Sequence, residues 1–195
     1  MALNLDKETF SDNDNITNSF LEIQTPEDLA AHIEENVKVL KKYAYPGNRI
    51  FYSILHIPKK DHSSRLIEAP CNDLKRILRK ITDQLTYIYQ PPACVHGFVC
   101  NKNVATNALP HVNKYFVSSF DIKDFFPSIL AKRVRGLFKN VFFNANDNLI
   151  DLLTNLVTLH GHLPQGYPTS PIISNMICLK MDKQIIKYCK EKHLF

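Results

Sequence analysis

Apolar residues recur at helical spacing in several parts of this 195-residue chain. The most regular stripe covers residues 72–89 and predicts a helix with one apolar face, made of Leu74, Ile77, Leu78, Ile81, Leu85 and Ile88. The opposite face carries four basic residues, Lys75, Arg76, Arg79 and Lys80. Similar stripes predict three later helices, at 131–139, at 147–159 and from about Pro171 onwards.

A further helix is predicted near the N-terminus. Thr25 and Asp28 have the spacing of a capping box, in which each side chain bonds the other residue's backbone amide. Pro26 suits the first helical position, and the stripe that follows ends before Tyr45. The sequence therefore predicts one continuous N-terminal helix.

Three runs of apolar residues have strand character. Residues 50–57 and 65–68 predict the two strands of a hairpin with a cationic tip between them. Residues 115–120 predict a buried strand that delivers Asp121 at its end. Because helices and strands alternate along the chain, a layered α/β or α+β fold is favoured.

Composition narrows the class of protein. With 45% hydrophobic and 22% charged residues, the chain is expected to be globular, as one domain or two connected lobes. Its apolar runs are too short for a membrane span and its first residues lack the features of a signal peptide, so we expect a cytoplasmic location. The five cysteines contain no Cys-x-x-Cys pair, which argues against a disulfide framework or a structural zinc site.

The charge is unevenly distributed. Residues 1–37 carry nine acids and one base, a net charge of −8. The remaining residues therefore carry a net charge of +13, which gives the total of +5. Such a body is expected to bind a polyanion, although a merely solvated basic surface fits the charge equally well. The same two interpretations apply to the basic face of the 72–89 helix, which either is solvated or follows a phosphate backbone.

Two short segments carry the candidate chemistry. Asp121 follows an apolar run and lies in an aromatic context, with Phe126 five residues later. A carboxylate at a strand end suits a hard divalent cation, but aspartates after strands more often cap helices or turns. Phe126, taken alone, reads more readily as a core aromatic. Forty residues on, a turn-rich segment around Gln165 and Gly166 contains three prolines.

Residues 120–129 and 163–171 resemble the first and second palm motifs of reverse transcriptases. The resemblance implies that Asp121 and the carbonyl of Ile122 bind metal, with two Mg²⁺ ions expected in the complete enzyme. It implies that the backbone at Asp124 and Phe125 lies beneath the incoming dNTP. It further implies that Phe126 blocks a 2′-hydroxyl, and that Gln165 and Gly166 lie over the sugar and base. The alternative for the second segment is an ordinary helix-entry loop in which Ser170 caps.

Two other segments extend the likeness. The hairpin resembles the fingers motif that closes on the triphosphate, which implies that Arg65 contacts the α-phosphate and that Lys59 or Lys60 reaches the γ-phosphate. Asn107-Ala108-Leu109-Pro110-His111 resembles an element of bacterial retron reverse transcriptases. Asn107 and His111 would then recognise the cognate RNA or brace the adjacent loop. Alternatively, they satisfy buried backbone groups.

The resemblance implies an α+β fold with the fingers and an incomplete palm of a right-hand polymerase, preceded by an N-terminal helix. Its predicted parts are an acidic tail with the N-terminal helix (1–48), fingers with the retron-type element (49–112), and an incomplete palm (113–195) with a fingers insertion at about 130–163. The chain lacks the adjacent aspartates of a Tyr-x-Asp-Asp turn. We therefore expect a truncated product or one half of a split enzyme, inactive alone.

The implied function is that of a retron RNA-directed DNA polymerase. Such an enzyme copies a structured noncoding RNA into RNA-linked single-stranded DNA for antiphage defence. Its implied partners are the RNA template and primer, the DNA product, dNTP, and an effector protein or a C-terminal polymerase half. Two other hypotheses stay open, a noncatalytic RNA-binding module or degenerate remnant, and a protein-interaction scaffold.

Overall fold

A computed structural model describes residues 19–59, 62 and 64–194 of the chain. From Pro26 on, these residues form eight α-helices and one two-stranded sheet. The helices are α1 (Pro26–His32), α2 (Val37–Ala44), α3 (Asn72–Ile88), α4 (Val104–Ala108), α5 (Phe125–Ser128), α6 (Ala131–Val141), α7 (Asp147–Val157) and α8 (Ser170–Glu191). The strands are β1 (Tyr52–Pro58) and β2 (Ser64–Pro70). The fold is thus a mixture of helices and strands in which helix predominates.

The N-terminal helix begins as predicted but is interrupted. Thr25 Oγ1 accepts from the Asp28 amide at 3.1 Å, and Asp28 Oδ2 accepts from the Thr25 amide at 2.9 Å. The prediction of one continuous helix is wrong, because Glu34 adopts a positive φ of 51° after α1. Asn36 then caps α2 by accepting from the Lys38 amide at 2.8 Å. Two short helices therefore replace the single long one.

The predicted hairpin is confirmed. Strands β1 and β2 are antiparallel, with Tyr52 opposite Pro70 and Ile57 opposite Arg65. The outer part of β1 is exposed on both faces, whereas β2 becomes buried towards its end at Glu68 and Pro70. The hairpin is therefore anchored to the body at the end that leads into α3.

Helix α3 is confirmed as the most regular helix and lies in the core. All six residues of its predicted apolar face are buried. They belong to one continuous apolar cluster that extends from Phe20 to Leu179 and includes the inner faces of α6, α7 and α8. These three helices also confirm the later predicted ones, with bounds shifted by a few residues.

Residues 115–120 do not form the buried strand that their apolar pattern predicts. The segment is irregular, and the side chains of Tyr115, Phe116 and Phe120 are 99%, 94% and 95% exposed. A strand needs a neighbour for its backbone hydrogen bonds, and the only sheet among the described residues is the β1–β2 hairpin. Without a paired neighbour, this segment's aromatic side chains stay outside the core.

None of the helices described here is long and apolar enough to cross a membrane.

We expect Ile81→Ala to lower the free energy of unfolding by about 2–5 kcal/mol, because Ile81 is fully buried in α3 and its removal leaves a cavity. Urea unfolding followed by circular dichroism measures this. Asp83→Ala, an exposed change on the same helix, should alter stability by no more than ~0.5 kcal/mol. Equal effects of the two changes would contradict the central place of α3.

Candidate nucleotide-binding site

The two motif segments meet through their backbones. The Leu163 amide donates to the Ile129 carbonyl at 2.9 Å, and the Ala131 amide donates to the Gly161 carbonyl at 2.8 Å. Leu130 and His162 form an antiparallel bridge between these two bonds. The end of the first motif is therefore fixed beside the start of the second, although they lie more than thirty residues apart in the sequence.

The loop of the second motif, residues 163–169, is here called the glutamine loop. It lies directly against β2, where the Glu68 amide donates to the Gln165 carbonyl at 2.7 Å. Gly166 has a φ of 136°, and a Cβ there would come within 2.7 Å of the Glu68 carbonyl oxygen. The glutamine loop and strand β2, which carries Arg65, therefore approach each other closely at Gly166.

Buried polar contacts hold the glutamine loop internally. Ser170 is 1% exposed and its hydroxyl donates to the Pro164 carbonyl at 2.6 Å. Ser170 does not cap α8: the N-cap is Thr169, without a side-chain capping bond. Tyr167 is buried in the loop, and this burial raises the pKa of its phenol. The loop is therefore a packed segment that carries the half-buried Gln165.

Asp121 and Ile122 lie in exposed, irregular backbone just before α5. Asp121 is not at the N-cap of any described helix, since that position of α5 belongs to Asp124. Asp124 has left-handed backbone angles (φ 49°, ψ 46°), and its carbonyl accepts from the Ser128 amide at 2.9 Å. The chain thus turns sharply between Asp121 and the aromatic pair that follows.

Phe125 and Phe126 are half-buried at the start of α5. Their ring centroids lie 5.5 Å apart, and Phe98 lies 6.5 Å from Phe126 on the outer side. Phe126 packs against the core on one side and against Phe98, which is 68% exposed, on the other. This position is intermediate between a core aromatic and a residue that meets a ligand.

The carboxylates present do not make a complete metal site. Among the described residues, no group of three or more His, Cys, Asp or Glu side chains is arranged to hold a metal ion. Asp121 and the Ile122 carbonyl are oxygen donors of the kind that Mg²⁺ prefers, but two divalent ions need more carboxylates than this segment supplies. The segment fits part of such a site.

The retron-type element lies beside the first motif. Asn107, Ile122 and Phe125 line the same cavity, of about 340 Å³, together with Asn175 and Asp182 of α8. Burial raises the pKa of the Asp182 carboxyl. His111 is exposed in a short 3₁₀ helix, Leu109–His111, that follows α4. Asn107 therefore lies near the predicted metal-binding segment. His111 lies about one turn further along the chain than Asn107.

The hairpin residues predicted to meet a triphosphate are exposed. Lys59 follows β1 and Arg65 lies near the start of β2. Lys60 lies outside the residues that the structure describes. Arg65 precedes Glu68 by three residues, so the arginine and the glutamine loop are carried by elements in direct contact.

Of the four basic residues on α3, two are held by an acid from the N-terminal part. Glu35, whose side chain is 8% exposed, forms an ion pair with Arg76 and a 2.8 Å pair with Lys80. Lys80 also donates to the Ile33 carbonyl at 2.7 Å. Arg79 is exposed and Lys75 is half-buried. The basic face predicted from sequence is therefore partly neutralised within the chain.

Sequence reasoning missed several residues that organise this region. Glu68 Oε2 in β2 lies 3.6 Å from Nε2 of His162, the residue just before the glutamine loop, and Glu35 and Phe98 have the contacts described above. Glu68 had one available signal, as an acid within the otherwise apolar end of β2. The other three have none, because their partners lie far away in the sequence.

Comparison with known proteins defines the class. Residues 57–195 match the family model "Reverse transcriptase (RNA-dependent DNA polymerase)", and the chain belongs to this family. The resemblance seen in the motifs is thus confirmed. Reverse transcriptases generally use divalent metal ions, typically Mg²⁺.

The chain is similar to several retron reverse transcriptases. The chain is 33% identical to the retron Mx162 reverse transcriptase of Myxococcus xanthus, over 89% of this chain and 40% of that protein. It is 34% identical to the retron Mx65 reverse transcriptase of the same species, over 83% and 42%. It is 31% identical to the retron Ec86 reverse transcriptase of Escherichia coli, over 86% and 52%. The chain thus spans about half, or less, of the length of these relatives.

Glu35→Gln should destabilise the fold by about 1–3 kcal/mol at pH 7, since it removes the charge that pairs with Arg76 and Lys80. The Arg76 guanidinium holds the pKa of Glu35 below its ordinary value of 4.5. A lowered folded-state pKa means that the contribution is full at neutral pH and is lost as the pH falls below that value.

Thermal unfolding of both proteins between pH 7 and pH 3 checks this. The difference in stability should narrow as the medium becomes acidic. Glu34→Gln is the matched control, because Glu34 is adjacent and exposed. A constant difference across the pH range would contradict the assigned ion pair.

Proposed function

We propose that this chain is the fingers and incomplete palm of a retron-type RNA-directed DNA polymerase. The observation that carries the proposal is the backbone junction of three separate motifs. The Leu163 amide donates a hydrogen bond to the Ile129 carbonyl. The amide of Glu68, on the strand that carries Arg65, donates to the Gln165 carbonyl. Membership of the reverse transcriptase family and similarity to retron enzymes support the same function.

In the proposed site, each side chain has a separate task. The Arg65 guanidinium offers paired donors to the α-phosphate, and Lys59 or Lys60 places a point charge near the γ-phosphate. The ring of Phe126 occupies the space that a 2′-hydroxyl would need. Gln165 lies over the sugar and base, held by a loop that packs on β2. These residues orient the dNTP and select its sugar.

The proposed metal ligands are the Asp121 carboxylate and the Ile122 carbonyl. Bound Mg²⁺ would neutralise charge that develops on the transferred phosphoryl group. Asp121 is exposed and is thus accessible to an ion and a triphosphate. The remaining carboxylates of a two-metal site must come from another part of the polymerase.

A C-terminal polymerase half is the proposed source of those ligands. The segment before Asp121 exposes Tyr115, Phe116 and Phe120 almost completely. Exposed aromatic patches of this kind are typical of surfaces that another element covers. This chain spans 40% and 52% of two of its retron relatives, and a polymerase half equivalent to the part that it does not match would cover the patch.

The biological setting is proposed from the likeness to retron enzymes. The chain would take part in copying a structured noncoding RNA into RNA-linked DNA in the cytoplasm, for antiphage defence with an effector protein. Asn107 and His111 would help to recognise that RNA or brace the loop beside it. Alone, the chain is expected to be inactive.

Asp121→Asn should reduce DNA synthesis by ~100-fold or more when the chain is assembled with its C-terminal half, because an amide is a much poorer ligand for Mg²⁺. The assay extends a primer on an RNA template with dNTP and Mg²⁺. Asp83→Asn, on the exposed side of α3, is the control and should retain full synthesis. Equal synthesis by the Asp121 variant and wild type would end the polymerase assignment.

A noncatalytic RNA-binding module is the second candidate, because one carboxylate in the first motif is not a complete metal site. Both candidates predict RNA binding by the chain alone, whereas an interaction scaffold predicts none. Arg79 is the exposed arginine on the basic face that is not paired with Glu35. It is therefore the best probe of phosphate contacts on α3.

Arg79→Gln should weaken RNA binding and lower the slope of log affinity against log salt by about 1, the value for one phosphate contact. Fluorescence anisotropy with labelled RNA at several salt concentrations measures both quantities. Lys187→Gln removes one exposed charge from α8 and should leave the slope unchanged. A slope that is the same in all three proteins would show that Arg79 does not contact an RNA phosphate.

A further inference from the structure

Glu68 is the most deeply buried charged residue among those that the structure describes, at 6% exposure. An acid in such a position needs a partner, because burial of an unpaired charge is costly. Its carboxylate Oε2 lies 3.6 Å from His162 Nε2, whose side chain is 24% exposed. The pair joins the end of the hairpin to the residue just before the glutamine loop.

His162 is itself firmly held. Its amide donates to the Leu159 carbonyl at 3.0 Å, and its carbonyl accepts from the Leu159 amide at 2.9 Å. It also bridges to Leu130, the residue just after the first motif. A contact to the His162 ring therefore acts on a rigid turn that leads into Leu163, Pro164 and Gln165.

The backbone of Glu68 holds the same loop at a second point. Its amide donates to the Gln165 carbonyl, and its carbonyl oxygen leaves no room for a Cβ at Gly166. Side chains alternate along a strand, so Arg65 projects to the face opposite Glu68. Glu68 can thus fix the loop without occupying the surface that Arg65 presents.

We propose that Glu68, through His162 and through its own backbone, is a positioning residue that fixes the glutamine loop on β2. It sets the position of Gln165 relative to Arg65. The loop-fixing part depends on geometry alone, and the consequence for dNTP binding rests on the proposed polymerase function. In a site that closes on a triphosphate, this fixed arrangement lets Gln165 contact the sugar while Arg65 contacts the phosphate.

The first experiment uses the chain alone and needs no activity. Hydrogen exchange of the amides of residues 66–68 and 165–167 is measured by NMR in wild type and in Glu68→Gln, which keeps the shape but removes the charge. We expect exchange about tenfold faster in the variant, with the rest of the core unchanged. Glu191→Gln, which removes the exposed acid of the Lys187 pair, is the control and should exchange as wild type does.

Gly166→Ala tests the same contact from the loop side. The change forces a methyl group against the Glu68 carbonyl. It should accelerate exchange of the Glu68 amide at least as much as Glu68→Gln does. Gly47→Ala controls for backbone strain, because Gly47 also has a positive φ, of 59°, but nothing lies within 4 Å of its added Cβ. Wild-type exchange in both Glu68→Gln and Gly166→Ala would overturn the proposal.

The second experiment uses the assembled polymerase. Glu68→Gln should raise KM for dNTP about tenfold with RNA affinity and folded fraction unchanged, whereas a purely structural defect would lower the amount of active enzyme and leave KM as it is. An unchanged KM would overturn the role in dNTP positioning. If wild type makes no DNA, the polymerase function fails, and the exchange experiment still decides whether Glu68 fixes the loop.

Discussion

The close approach of the glutamine loop to strand β2 is the constraint on which the candidate site depends. At Gly166 the two backbones are so near that a single methyl group would collide with the Glu68 carbonyl. Glycine alone fits there, since it combines a positive φ with the absence of a side chain. Through this contact the hairpin, the second motif and, by the Ile129–Leu163 bond, the first motif form one connected unit.

Some basic residues of the chain pair with an acid of the same chain, whereas others are exposed. Glu35 enters from the acidic N-terminal part and pairs with two of the cations on α3. The strong charge asymmetry along the sequence is therefore partly an internal interaction, and it stabilises the attachment of the N-terminal helices to α3. The exposed Arg79 and the hairpin cations Lys59 and Arg65 remain the better candidates for contacts to a polyanion.

In the first motif, the exposed aromatic segment that precedes Asp121 lacks a paired strand, although the rest of the motif is held in place. Its end is fixed by α5 and by the junction with the second motif, whereas its start has no sheet neighbour among the described residues. A segment rich in β-branched and aromatic residues gains stability mainly from cross-strand packing. The same chemistry that predicts a strand thus makes this surface suitable for another part of a polymerase.

Local sequence patterns predicted the start of α1, the helices α3, α6, α7 and α8, the hairpin, the buried face of α3 and the family, because capping, periodicity and motif spacing are local properties. The folded structure was needed to reveal the break after α1, the exposed state of residues 115–120, and the pairing of Glu35 with Arg76 and of Glu68 with His162. Each of these features depends on a contact with a residue distant in the sequence, or on a backbone angle that the local sequence does not fix. Neighbouring residues alone therefore could not predict it.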